Sequence, residues 1–121
     1  MITILGDFPV NVLALNCSGQ VTERDYATVV IPAVEKALTS LGWLRLYYQI
    51  GPTFTGFEPG AMWDDFLVGV DHLSRWERVA VVTDLEWVKF ATRAFGFLLP
   101  GKAKVFALAD ADAARAWITS K

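Results

Sequence analysis

Few side chains in this sequence can do covalent or acid–base chemistry, and their spacing limits what they can do. There is one Cys and one His. A nucleophilic cysteine needs a base within reach and a stabilised thiolate. Cys17 and His72 are far apart in the chain and no motif joins them, so Cys17 reads as a small core residue at a strand end. A metal site needs several ligands at set spacing, which one histidine does not supply; no metal and no other cofactor is expected. Asp64 and Asp65 are adjacent. Neighbours on a helix diverge by about 100°, so these two cannot share a proton as a catalytic dyad does. They read instead as first-turn carboxylates favoured by the helix dipole. Gly51 and Gly56 are followed by no Gly-Lys-Ser/Thr, and the chain has no G-x-G-x-x-G, so neither phosphate-cradling loop is expected. Nothing here makes a catalytic constellation, and the chain reads as a non-enzyme.

The aromatic residues say more. Phe54 and Phe57 lie in the Gly- and Pro-rich stretch 51–60, and Trp63, Phe66, Trp87 and Phe90 follow on helical spacings. Phe95-Gly96-Phe97-Leu98-Leu99-Pro100 adds a second apolar stretch. Apolar groups in a loop tend to mark contact with a ligand, a partner or a membrane. Lys89 and Arg93 are spaced i, i+4 on one helix face, and basic groups beside apolar tips suit an anionic headgroup. The candidate ligand-binding set is therefore Phe54, Phe57, Trp63, Phe66, Trp87, Phe90, Lys89 and Arg93.

Positioning these residues requires a folded scaffold, and the composition supplies one. Of 121 residues, 54% are hydrophobic and 20% charged, which excludes a disordered chain. The length fits one domain, residues 1–121. A net charge of −2 argues against a nucleic-acid partner. The single cysteine rules out a disulfide framework within the chain. The N-terminus has no signal-peptide pattern and no apolar run is long enough to span a bilayer, so a cytoplasmic protein is expected.

Apolar patterning predicts strands near 2–5, 10–16, 44–50, 78–83 and 104–108, the first at a sheet edge. Helices are predicted near 22–41, 61–75, 85–96 and 110–119. Thr22 should cap the first, with Asp25 three residues on completing a capping box. Pro32 should kink it. Asp84 and Asp110 should cap the last two. Residues 51–60 read as a ten-residue loop, of the size that is usually either functional or mobile. The order ββαβαβαβα implies an α/β domain whose five-stranded, mostly parallel (mixed) sheet is flanked by helices.

Four stretches resemble the SpoIIAA-like family of small bacterial proteins, related to STAS domains and to the CRAL-TRIO lipid-transfer fold. They are Asp25-Tyr26 with Pro32, and Gly60-Ala61-Met62-Trp63-Asp64-Asp65. The others are Arg78-Val79-Ala80-Val81-Val82-Thr83-Asp84 with Trp87, and Val105-Phe106 with Ala116-Trp117-Ile118. The resemblance implies a five-stranded α/β sandwich and no enzyme. Its lipid-transfer side implies a small hydrophobic or amphipathic ligand held between the sheet and a movable helical lid; the basic groups beside the apolar stretch add an expectation of reversible peripheral membrane contact. Its STAS side implies a regulatory protein–protein module, like the anti-sigma factor antagonist of bacilli, and leaves a homodimer open. That relative is switched by phosphorylation of a serine in an Asp-Ser step after the third strand. Here Ile50 is followed by Gly51-Pro52-Thr53, with no serine before Gly60. Neither Thr53 nor Thr55 is therefore expected to be a phosphoswitch. Intact-mass analysis of protein from its native cells should show no phosphate there, and stoichiometric phosphate on either threonine would reverse the expectation.

Overall fold

The computed structural model describes residues 1–58, 76–96 and 102–120. Five strands form one sheet: β1 (Ile2–Ile4), β2 (Val12–Val21), β3 (Leu44–Phe57), β4 (Trp76–Val82) and β5 (Lys102–Phe106). Their spatial order equals their chain order. β1 pairs antiparallel with β2, and the other three pairings are parallel. The expected mixed α/β sheet with β1 at its edge is present. The helix expected over 61–75 lies outside the described residues.

When parallel strands step steadily in one direction, right-handed crossovers place the connecting helices on one face. α1 (Glu23–Asp25), a π turn (Tyr26–Val30) and α2 (Ile31–Leu38) form one continuous helical run between β2 and β3. Tyr26, Val30, Val34 and Leu38 from this run join Leu15, Leu46, Tyr48, Ile50 and Val81 in the larger core. α3 (Glu86–Gly96) adds Val88 to the same core. α4 (Ala111–Thr119) follows the last strand and a 3-10 turn (Leu108–Asp110). It covers the opposite face, packing Ala114 and Ile118 on Val12, Ala14, Tyr47, Ala80 and Val82. Burial on both faces explains why β3 and β4 read as almost unbroken apolar runs.

Pro32 falls in the first turn of α2, directly after the π turn. Proline supplies no N–H and its ring crowds the carbonyl four residues back. The wider turn, in which the Ile31 N–H donates to the Tyr26 carbonyl, inserts one residue at that point and gives the ring room.

The stretch expected as a loop is mostly strand. β3 runs on to Phe57, and its far end pairs with residues 19–21 of β2, Val21 opposite Phe57. β4 reaches only as far as Val82 opposite Gln49, so among the described residues β2 and β3 continue beyond it as a two-stranded arm. The ladder skips register between Cys17 and Gly19, and Pro52 lies in that skip. A proline is tolerated at a bulge on an edge strand, where no N–H is required. Gly19, at φ +58°, supplies the left-handed residue that the irregularity uses.

α4 is held from below by two arginines adjacent in the sheet, Arg45 on β3 and Arg78 on β4. Arg45 Nη1 donates to the carbonyls of Ile118 (2.9 Å) and Ser120. Arg78 Nη1 donates to the carbonyls of Trp117 and Ser120, both at 2.9 Å. Cations there satisfy the last carbonyls of a helix and complement its dipole. The Trp117 ring lies beneath Arg78 and Lys104, whose charged groups are 5.6 and 5.0 Å from its centroid.

The expected capping box is in place at the start of α1. Asp25 N–H donates to Thr22 Oγ1, and the Asp25 carboxylate accepts the Thr22 N–H at 2.8 Å. Partial burial pushes the Asp25 pKa up, but the Thr22 donors and the N-terminal ammonium outweigh it and hold the group below its ordinary value of 3.8. The folded pKa is depressed, so its stabilisation is present above that value and is lost as pH falls through the folded pKa. Asp25→Asn should cost about 1 kcal/mol at neutral pH. In urea unfolding, the gap between parent and variant should close as the pH is lowered below 3.8; a gap of constant size would contradict the assignment.

Candidate functional site

The arm and α3 bring three of the sequence-derived residues together. The Phe54 and Phe57 rings meet edge-on with centroids 4.9 Å apart, and Phe57 meets Trp87 edge-on at 5.6 Å. T-shaped pairs of this kind place a positive ring edge against a negative face. Phe54 and Phe57 are half-buried strand residues packed against the larger core, not loop tips. Trp87 is 44% exposed and Phe90, one turn on, is 75% exposed. Trp87 therefore buries too little for its truncation to carry the full cost of a core tryptophan.

Lys89 and Arg93 share one face of α3, as their i, i+4 spacing predicts. Lys89 follows Trp87 by two positions, so it lies about 200° around the helix and flanks the other side. Its ammonium is 3.4 Å from Glu86. Arg93 is exposed. Trp63 and Phe66 lie outside the described residues.

The residues leading into α3 form a turn. Thr83, fully buried, accepts the Leu85 N–H on its hydroxyl at 3.1 Å. Asp84, the expected cap, instead accepts the Leu108 N–H at 3.0 Å and ties the start of α3 to the segment after β5. Ile50, Pro52, Phe54, Leu85 and Leu108 here line a cleft of about 210 Å3, with Asp84 among them. The cleft opens at the carboxyl ends of the parallel strands, the usual ligand position in open α/β sheets. Its volume is below the range of sites that engulf a drug-sized molecule; the helix expected to close a pocket as a lid lies outside the described residues.

A second, larger cavity of about 360 Å3 lies on the opposite face, between the β1–β2 turn and α4. Tyr47 and Gln49 of β3 contribute to its lining, with Asp7 and Phe8 from the turn and Asp112 and Arg115 from α4. None of these residues was among the sequence-derived candidates. A signal was present: Arg45, Tyr47 and Gln49 alternate along β3, which gives one face of a buried strand a polar character.

The comparisons with known proteins bear on the whole chain. The sequence model of the SpoIIAA-like family matches residues 12–119. The chain belongs to the SpoIIAA-like family. The match begins at β2 and leaves β1 outside it. Among solved structures, the chain is similar to an uncharacterised protein of the DUF3478 family with a SpoIIAA-like fold from Shewanella loihica PV-4. The two are 28% identical, the similarity covers 97% of this chain and 93% of that one, and the TM-score is 0.69. A search of curated proteins gives no match. Among the described residues, no helix is long and apolar enough to cross a membrane.

In this SpoIIAA-like core the cysteine lies beneath the first helical run. The Tyr26 and Tyr48 hydroxyls are 3.3 Å apart, and Tyr48 is also hydrogen-bonded to the Cys17 sulfur. Burial pushes the Cys17 thiol up to about 12, against a smaller opposing effect of the Tyr48 bond. Burial likewise holds Tyr48 well above the ordinary tyrosine value. A thiol so placed is neutral at physiological pH and inert. Native protein at neutral pH should give no reaction with an aromatic disulfide reagent, and protein unfolded in guanidinium should release one equivalent per chain. Rapid reaction of the native protein would contradict this placement.

Proposed function

We propose that this SpoIIAA-like protein is a non-enzymatic binding module for a small apolar or amphipathic, lipid-like ligand. The observation that carries the reading is the Phe54–Phe57–Trp87 ladder, which starts at Phe54 in the lining of the cleft and ends at Trp87, 44% exposed and one turn before the 75% exposed Phe90. Aromatic rings left in water gain when an apolar partner covers them, and their flat faces suit acyl chains and ring systems. The ligand lies along this surface with one end in the cleft. Arg93, three positions beyond Phe90 and exposed, shares a helix face with Lys89 and is suited to an anionic head and to reversible contact with a membrane surface.

Titration with a fluorescent fatty acid tests the reading. The parent should bind, and Phe57→Ala and Phe90→Ser should each weaken binding by about tenfold or more, which corresponds to 1.4 kcal/mol. Thermal unfolding of Phe90→Ser should match the parent, because the ring is mostly in water. A parent that binds no acyl probe overturns the lipid reading and leaves the STAS-type regulatory module. Affinity unchanged in both variants removes this surface from the site.

A further inference from the structure

The cavity on the α4 face is independent of the aromatic surface, and its chemistry is of another kind. Three features define it. The first is a stack of side chains: the Arg115 guanidinium lies 4.2 Å over the Phe8 ring, and the Phe8 ring is 4.9 Å from that of Tyr47. The guanidinium is thereby held by a ring face. Its one hydrogen bond among the described residues is long, 3.5 Å from Nη2 to the Asp7 carbonyl. A guanidinium anchored by stacking keeps its forked N–H edge for a planar anion such as a carboxylate.

The second feature is Asp112, three positions before Arg115 on α4 and lining the same cavity. Residues at i, i+3 on a helix are neighbours and often form an ion pair. Among the described residues no ion pair joins these two, since the guanidinium is turned onto Phe8. The cavity thus presents a positive and a negative group side by side without mutual neutralisation.

The third is a polar relay along the sheet. Tyr47, only 3% exposed, donates its hydroxyl proton to Gln49 Oε1 at 2.8 Å, and Gln49 Nε2 donates to Asn16 Oδ1 at 3.3 Å. The relay fixes the Gln49 amide and leaves its second N–H and a lone pair of the Tyr47 oxygen for a polar group. Burial raises the Tyr47 pKa, with Arg115 opposing and Asp112 adding to the effect, so the phenol stays protonated at neutral pH. The turn above the cavity is itself specialised, because Asp7 adopts φ +62°, a conformation uncommon outside glycine.

We infer that this cavity is a binding site for a small zwitterion of the free α-amino acid class, with its carboxylate on Arg115, its ammonium on Asp112 and its polar remainder toward Tyr47 and Gln49. A volume of about 360 Å3 is at the lower end of small-molecule sites, as such a ligand requires. An anion alone would leave Asp112 unanswered and add repulsion, and a cation alone would do the same to Arg115. Only a ligand carrying both charges satisfies both groups.

The twenty common L-amino acids, each at about 10 mM, are screened against the full chain by thermal unfolding, and hits are titrated by calorimetry. At least one amino acid should raise the melting temperature and bind with measurable heat. Its des-amino analogue, which keeps only the carboxylate, and its decarboxylated analogue, which keeps only the amine, should each bind about tenfold weaker or worse. Asp112→Asn should weaken the amino acid and not the des-amino analogue. Arg115→Gln should weaken the amino acid and not the amine. Asp112 is exposed, so its variant remains decisive if loss of the Arg115–Phe8 stack impairs folding, and Arg115→Lys then tests the fork with the charge retained. Absence of any hit overturns the inference, as does binding that survives both substitutions. Binding that depends on Arg115 but not on Asp112 marks a simple carboxylate site and overturns the zwitterion assignment.

Discussion

The parallel pairing of β2 with β3 is the constraint on which the other layers depend. It is the most extended pairing in the sheet, running from Val12 opposite Arg45 to Val21 opposite Phe57. Its helix-covered face supplies Leu13, Leu15, Cys17, Leu46, Tyr48 and Ile50 to the larger core. The other face supplies Val12, Ala14 and Tyr47 to the smaller one. Because side chains alternate strictly along a strand, a slip of one residue in this register would exchange the two sets. It would turn Arg45 and Gln49 into the core and Leu46 and Tyr48 toward α4. The Tyr48–Tyr26 contact, the anchorage of α4 and the aromatic ladder on the arm all presuppose this one alignment.

The two faces solve different problems. On the crossover side the helices are tied in by chain connectivity, so apolar packing suffices. α4 follows β5 and lies on the other face, where the Arg45 and Arg78 side chains complete its cover by bonding its final carbonyls. These are charge-assisted bonds, stronger than neutral ones. They fix the helix at its C-terminal end, while its first turn borders a cavity. One end of the second layer is therefore closed by charge and the other is left hollow.

The strands were legible because burial on both faces writes itself as unbroken apolar sequence, as in Arg78-Val79-Ala80-Val81-Val82. The capping box at Thr22 and Asp25 was legible because it is local. The arm was not. Gly51, Pro52 and Gly56 announce a loop, and only the end of the β4 ladder opposite Gln49 shows that β4 does not need the N–H that Pro52 lacks. The meeting of Phe57 with Trp87 followed from the need to cover an aromatic ring. The shared side of Lys89 and Arg93 on α3 was legible from their i, i+4 spacing. The polar cavity escaped because its parts come from three separate segments, and Phe8, Tyr47 and Arg115 are each unremarkable in their own stretch.

The identity of spatial and chain order in the sheet bears on how the protein is made. Each strand from β2 onward lies beside the one translated before it. Ribosomes deliver about 5–20 residues per second, whereas local helix and hairpin formation takes microseconds. Every strand that leaves the exit tunnel thus finds its template already synthesised, and none must wait for a later segment to be inserted beside it. The growing edge of the sheet faces the next strand to arrive, and the short antiparallel β1 closes the opposite edge from the outset.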